Sequence, residues 1–126
     1  MKKFLFISLT RKEMLPVTRL LKTLGHLVHL KSCTNRAMVA LRDISFDVIV
    51  VTDELRDMTG LEFVSRMMFL RHRKKIVFLT KHPRLDEKKE TTLMGIDCYF
   101  PRFLGTTDLA ALINWGGIDQ NTLCLN

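Results

Sequence analysis

Thr52, Asp53 and Glu54 follow the apolar run Val48-Ile49-Val50-Val51 without a gap, and Gly60 stands eight residues beyond Thr52. A hydroxyl and two carboxylates at the exit of a buried strand are groups that could take a phosphoryl group or ligate Mg²⁺. Other apolar runs end on residues with related chemistry. Ser8, Leu9 and Thr10 close the first run, Thr80 closes Val77-Phe78-Leu79, and Arg102 closes Cys98-Tyr99-Phe100-Pro101. A threonine hydroxyl is a poor nucleophile at neutral pH without a neighbouring base, and Asp53 is the candidate base at these exits. Mg²⁺ wants octahedral oxygen ligands, usually with one or two carboxylates. Ser8 and Thr52 offer neutral hydroxyls, and Leu9 offers nothing. Arg102 keeps its charge and spreads it over a planar fork, so it can hold an anion.

Other chemistries find little support. Ser8-Leu9-Thr10-Arg11 stands where a Gly-rich phosphate loop would follow the first strand. His26, His29, His72 and His82 make no catalytic constellation, and His26 with His29 near an edge strand reads as a solubility device. Cys33, Cys98 and Cys124 share no metal-ligand spacing, so neither a metal site nor a disulfide framework is indicated, and a reducing cytoplasm fits. No enzyme activity is expected.

The elements that must carry these residues alternate along the chain. Strands are expected over 3–9, 27–31, 47–52, 75–80 and 97–101, separated by helical patterns, which argues for a parallel sheet covered on both faces. The continuously apolar Val48–Val51 run belongs mid-sheet. Met14, Val17, Leu21 and Leu24 form one helical stripe, opened by a capping box of Thr10 and Glu13 with Pro16 soon after, and stopped by Gly25. Ala37, Ala40, Leu41 and Ile44 form a second after an N-cap at Asn35; Leu61, Val64, Met68 and Arg71 form a third. A fourth helical stretch, about 85–94, is mostly charged, and a fifth helix capped by Thr106 or Thr107 turns Leu109, Leu112 and Ile113 inward.

At 126 residues and 47% hydrophobic content the chain suits one domain, 1–115, with a short tail over 116–126. No apolar run is long enough to span a membrane. Met1-Lys2-Lys3 before a short apolar run is followed at once by Arg11, Lys12 and Glu13 and reads as a first strand rather than a signal peptide. The net charge of +7 favours acidic partners. Its densest cluster, Arg71-His72-Arg73-Lys74-Lys75, lacks aromatic interleaving and argues against a nucleic-acid partner.

Phe46-Asp47-Val48-Ile49-Val50-Val51-Thr52-Asp53-Glu54, followed by Asp57-Met58-Thr59-Gly60-Leu61-Glu62, resembles the third strand and following loop of CheY-like response-regulator receiver domains. Val77-Phe78-Leu79-Thr80 and Gly95-Ile96-Asp97-Cys98-Tyr99-Phe100-Pro101-Arg102-Phe103 are similar to the family's fourth and fifth strand segments. The resemblance covers about residues 2–115 and implies a flavodoxin-like (βα)5 doubly wound α/β fold of strand order 2-1-3-4-5, with its crevice between strands 1 and 3. It puts Thr52 at the phosphoacceptor aspartate, Ser8 and Leu9 at the acidic pair, and Arg102 at the lysine. Thr80 and Tyr99 stand at the switch positions, although a strand-end hydroxyl and a partly buried aromatic with its OH outward would explain them as well.

A receiver without its nucleophile must signal in another way. The leading expectation is a pseudo-receiver of a bacterial two-component-type pathway, free of cofactors, that binds an acidic signalling partner through Lys81, Lys88, Lys89 and Arg102. The alternative is a phosphorelay receiver, served by a histidine kinase and Mg²⁺, in which Asp53 becomes the acceptor through a one-residue slip.

Overall fold

A computed structural model describes residues 1–68, 75–81, 95–101 and 105–114. The strands are β1 (Lys3–Ile7), β2 (Leu27–Lys31), β3 (Val48–Thr52), β4 (Lys75–Thr80) and β5 (Cys98–Pro101). The helices are α1 (Arg11–Thr23), α2 (Thr34–Asp43), α3 (Gly60–Met67) and α4 (Thr106–Asn114). The sheet is parallel throughout and ordered β2-β1-β3-β4-β5, as the resemblance implied. The 85–94 stretch, the tail over 116–126, Lys88, Lys89 and Arg102 lie outside the described residues. No helix among the described residues is long and apolar enough to cross a membrane.

Strand residues point alternately to the two sheet faces, so a sheet covered on both sides needs apolar residues at every position. Phe4, Phe6, Val48, Val50, Val77, Leu79 and Phe100 pack with Met14, Val17 and Leu21 of α1 and Leu109 and Ile113 of α4. Leu5, Ile7, Ile49, Val51, Ile76, Phe78 and Tyr99 pack on the other face with Ala37 and Leu41 of α2 and Phe63, Val64 and Met67 of α3.

The entry end of the sheet is stitched by side chains. His26, Asp47 and Asp97, each just before its strand, accept the main-chain N–H of Lys2 (3.0 Å), Lys3 (2.7 Å) and Ile76 (2.8 Å). These bonds satisfy donors at the strand starts, where the regular ladder has not yet begun.

Several helix ends differ from the sequence expectation. Gly25 does stop α1: at φ +92° its N–H reaches the Lys22 carbonyl while the His26 N–H reaches that of Leu21, the paired bonds of a Schellman motif. Leu24, however, is exposed rather than part of the apolar stripe. Thr10 precedes α1 but makes no side-chain cap, because its carbonyl, not its hydroxyl, accepts the Glu13 N–H. Asn35 lies inside α2, whose N-cap is Cys33. The Leu109 N–H bonds the Gly105 carbonyl at 2.8 Å, so α4 begins from Gly105, ahead of either expected threonine cap. A side-chain cap forms instead at Thr59, whose hydroxyl accepts the Glu62 N–H at the start of α3.

Candidate functional site

A parallel sheet delivers all its strand exits to one end, so Ser8, Thr52 and Thr80 meet there on adjacent strands β1, β3 and β4. β1 closes at Ile7, two residues earlier than the apolar run suggested, which leaves Ser8 and Leu9 in the turn before α1. Ser8 is buried, donating its N–H to the Lys31 carbonyl (3.1 Å) and its hydroxyl to that of Thr10 (3.3 Å). Leu9 faces outward, 39% exposed.

Thr52 is the last residue of β3 and is buried. Its hydroxyl lies 3.1 Å from the Glu54 carbonyl and 3.4 Å from that of Ile7. One hydroxyl hydrogen serves one good bond, and the shorter, to Glu54, is the principal one. That proton is committed to the main chain, and no side-chain base accepts it.

Asp53 turns the other way. Its Oδ2 accepts the Thr80 hydroxyl at 3.2 Å and the Lys81 N–H at 3.0 Å, while Oδ1 accepts the Glu54 N–H at 3.1 Å. Bonds from neutral donors to an ionised carboxylate are charge-assisted and stronger than their neutral counterparts. The Asp53 main chain is fixed as well, its N–H on the Leu79 carbonyl and its carbonyl on the Gly60 N–H, both below 3.0 Å. Thr52 therefore reaches toward β1 and Asp53 toward β4, the divergence a one-residue step in an extended chain produces.

The loop from Asp53 to Gly60 folds back on itself through a Glu54–Thr59 bridge and the Leu55 N–H on the Met58 carbonyl. Gly60 ends it because a Cβ there would lie 2.1 Å from the Thr52 carbonyl oxygen. This contact fixes Gly60 as the residue opposite Thr52 and ties the spacing legible in the sequence to a physical cause. The helix α3 that follows buries Phe63, Val64 and Met67; of the expected stripe Val64 is in the core, Leu61 packs against it half-buried, and Met68 is turned outward, 51% exposed.

Thr80 and Tyr99 are both buried on adjoining strands. The Tyr99 ring stacks on Phe78, centroids 5.8 Å apart and planes 4° from parallel, inside the α2–α3 core rather than half out of it. Lys81 is exposed beside the site and contributes its backbone N–H to Asp53. The Asp53–Thr80 bond escaped sequence reasoning, as did the bond from the Thr34 hydroxyl to the Asp57 carboxylate that joins α2 to the β3–α3 loop. Both depend on strand register and loop path, which leave no spacing signal.

Among the described residues no group of three or more His, Cys, Asp or Glu side chains could hold a metal ion. Ser8 and Thr52 offer hydroxyls and Leu9 hydrocarbon to a hard dication that wants carboxylates, and the Asp53 carboxylate beside them accepts the Thr80 hydroxyl and the Lys81 N–H.

By sequence the chain matches no protein-family model and no curated protein. By structure it is similar to a CheY-like response regulator receiver domain protein from Methanospirillum hungatei, at 19% identity, 97% coverage of this chain, 98% of that chain and a TM-score of 0.83. It is also similar to the chemotaxis protein CheY4 of Vibrio cholerae, at 22% identity, 92% and 98% coverage and a TM-score of 0.83. A Burkholderia pseudomallei response regulator, solved with a phosphorylated aspartic acid, calcium ion and citrate, matches at 21% identity, 88% and 65% coverage and a TM-score of 0.78. The fold is that of CheY-like receiver domains.

Proposed function

From the receiver fold as premise, we propose that this chain is a single-domain response-regulator-like protein of a two-component-type signalling pathway, acting by protein–protein interaction without phosphorylation. The observation that carries the reading is Thr52: the residue opposite Gly60 is a buried hydroxyl donating to main-chain carbonyls. With Ser8 and Leu9 at the neighbouring exit, neither an acceptor carboxylate nor a Mg²⁺ ligand set stands on that side of the crevice. What remains for function is surface.

The docking face of this reading comprises the end of the sheet at β5, α4 and the polar 85–94 stretch, where Lys81, Lys88, Lys89 and Arg102 bias the choice toward an acidic partner. The protein is then a cytoplasmic, non-enzymatic bacterial module spanning 1–115, with a tail over 116–126. Thr80 and Tyr99 would couple the crevice to the docking face. Capture of partners from a lysate of the source cell tests this directly. The same partner should be retained with and without acetyl phosphate and by Asp53→Asn, and lost on charge reversal at Lys88 and Lys89.

One observation favours the phosphorelay reading. The Asp53 carboxylate already touches the Thr80 hydroxyl and the Lys81 N–H, donors a phosphoryl group on Asp53 would also meet. Supply by a histidine kinase and Mg²⁺ would then be required, and a capture that depends on acetyl phosphate and fails for Asp53→Asn would select it.

A further inference from the structure

β2 is an edge strand with β1 as its neighbour in the sheet. The Leu27 N–H donates to the Lys2 carbonyl and the Lys31 carbonyl accepts from the Ser8 N–H, so the odd-numbered residues of β2 turn their backbone toward β1. By the two-residue period, Val28 and Leu30 aim their N–H and C=O groups outward, while their side chains pack into the α1-side core. An outward row of this kind is a template for another strand.

The opposite side of the edge is not flat. His29 and Lys31 from β2 and Arg36, Val39 and Ile44 from or just after α2 line a groove of about 400 Å³. Val39 is 52% exposed, and with Ile44 it makes an apolar wall of the groove. Lys31 and Arg36 lie where β2 ends and α2 begins, and Asp43 lies at the far end of the helix. The positive field at this strand is felt by His29, whose pKa is lowered by burial first and then by Lys31 and Lys22.

That charge selects the occupant. A second copy adding its own β2, Leu27–Lys31, would bring a strand without a carboxylate to this cationic rim. In an added strand the side chains at every second position share the groove face, so carboxylates there meet Lys31 and Arg36 with opposite charge and apolar side chains farther along the same face lie on Val39 and Ile44. We propose that the β2 edge and its groove with α2 bind an extended acidic segment of a partner protein by strand addition. This edge is the one farthest from β5 in the sheet order, so the segment binds independently of the docking face considered above.

The test uses the full chain and a synthetic peptide of about eight residues, within the ordinary range of strand lengths, with Glu and Val along one face and Thr at the positions between. Binding should protect the Val28 and Leu30 amides from hydrogen exchange, and a backbone N-methylated version of the peptide should not bind. Lys31→Glu with Arg36→Glu should weaken binding about tenfold or more, whereas the charge-matched pair Lys12→Glu with Arg66→Glu, exposed on α1 and α3, should change it less than about twofold. Val39→Ser should weaken binding while leaving thermal unfolding unchanged. Equal weakening by both charge-reversed pairs, unaltered exchange at Val28 and Leu30, or dimerisation of the chain through β2 would each overturn the proposal.

Discussion

A methyl group added at Gly60 would sit 2.1 Å from the Thr52 carbonyl oxygen and 2.9 Å from Phe78 Cε2. A rigid backbone atom cannot step aside as a side-chain end can, so relief must come from moving the α3 entry or the β3 exit. Gly60→Ala is expected to cost about 2 kcal/mol or more, in the range of strained overpacking. Urea denaturation checks it, and a loss below about 0.5 kcal/mol, the level of ordinary surface changes, would show that the contact is relieved cheaply. His29 supplies a pH-dependent counterpart. Its folded pKa lies below the ordinary 6.5, so below that value the unfolded chain binds the proton more readily than the native one. Stability contributed at this position should therefore be complete above about pH 6.5 and decline as pH falls through the window down to the lowered native pKa. His29→Gln should flatten that part of the profile, and an NMR titration should put the native imidazole below the ordinary value.

At the scale of the elements, the strand-entry carboxylates allow a graded prediction. Asp97 accepts a partly buried donor, Ile76 N–H, whereas Asp47 accepts the exposed Lys3 N–H, which water can serve instead. Asp97→Ala should cost about 1–3 kcal/mol and Asp47→Ala less than about 1 kcal/mol, measured by thermal or urea unfolding. The reverse order would mean that exposure does not decide the cost. The strands were legible in the sequence because a sheet buried on both faces demands runs such as Phe4–Ile7 and Val48–Val51, apolar at every residue. Helix rotation and capping were less so. In α3, Phe63, Val64 and Met67 carry the buried face with Leu61 at its margin, and helical periodicity alone does not tell Met67 from its neighbour Met68. Thr10 with Glu13 and Thr59 with Glu62 share a capping pattern, yet a side-chain cap forms at Thr59, because at Thr10 it is the carbonyl that takes the Glu13 N–H. Of the site, the places of Thr52 and Asp53 could be read from the distance to Gly60, but the bond from Thr80 to Asp53 follows from β3–β4 register and the direction Asp53 takes after its strand.

For the molecule as a whole, the function proposed above is that of a module that is recognised rather than one that catalyses. The +7 balance should make capture of an acidic partner fall as salt rises, because screening shortens the reach of exposed charges. A salt-independent interaction would shift the weight to apolar contacts. The central claim is that a receiver fold with Thr52 at the strand exit signals without a phosphoryl group, and the direct measurement is intact-protein mass spectrometry after incubation with acetyl phosphate and Mg²⁺. The account predicts that the wild-type chain gains no phosphoryl group, since Thr52 is buried against main-chain carbonyls and the Asp53 carboxylate is engaged by Thr80 and the Lys81 N–H. A phosphoryl adduct on the wild type that disappears in Asp53→Asn would contradict it and make Asp53 the acceptor of a working phosphorelay.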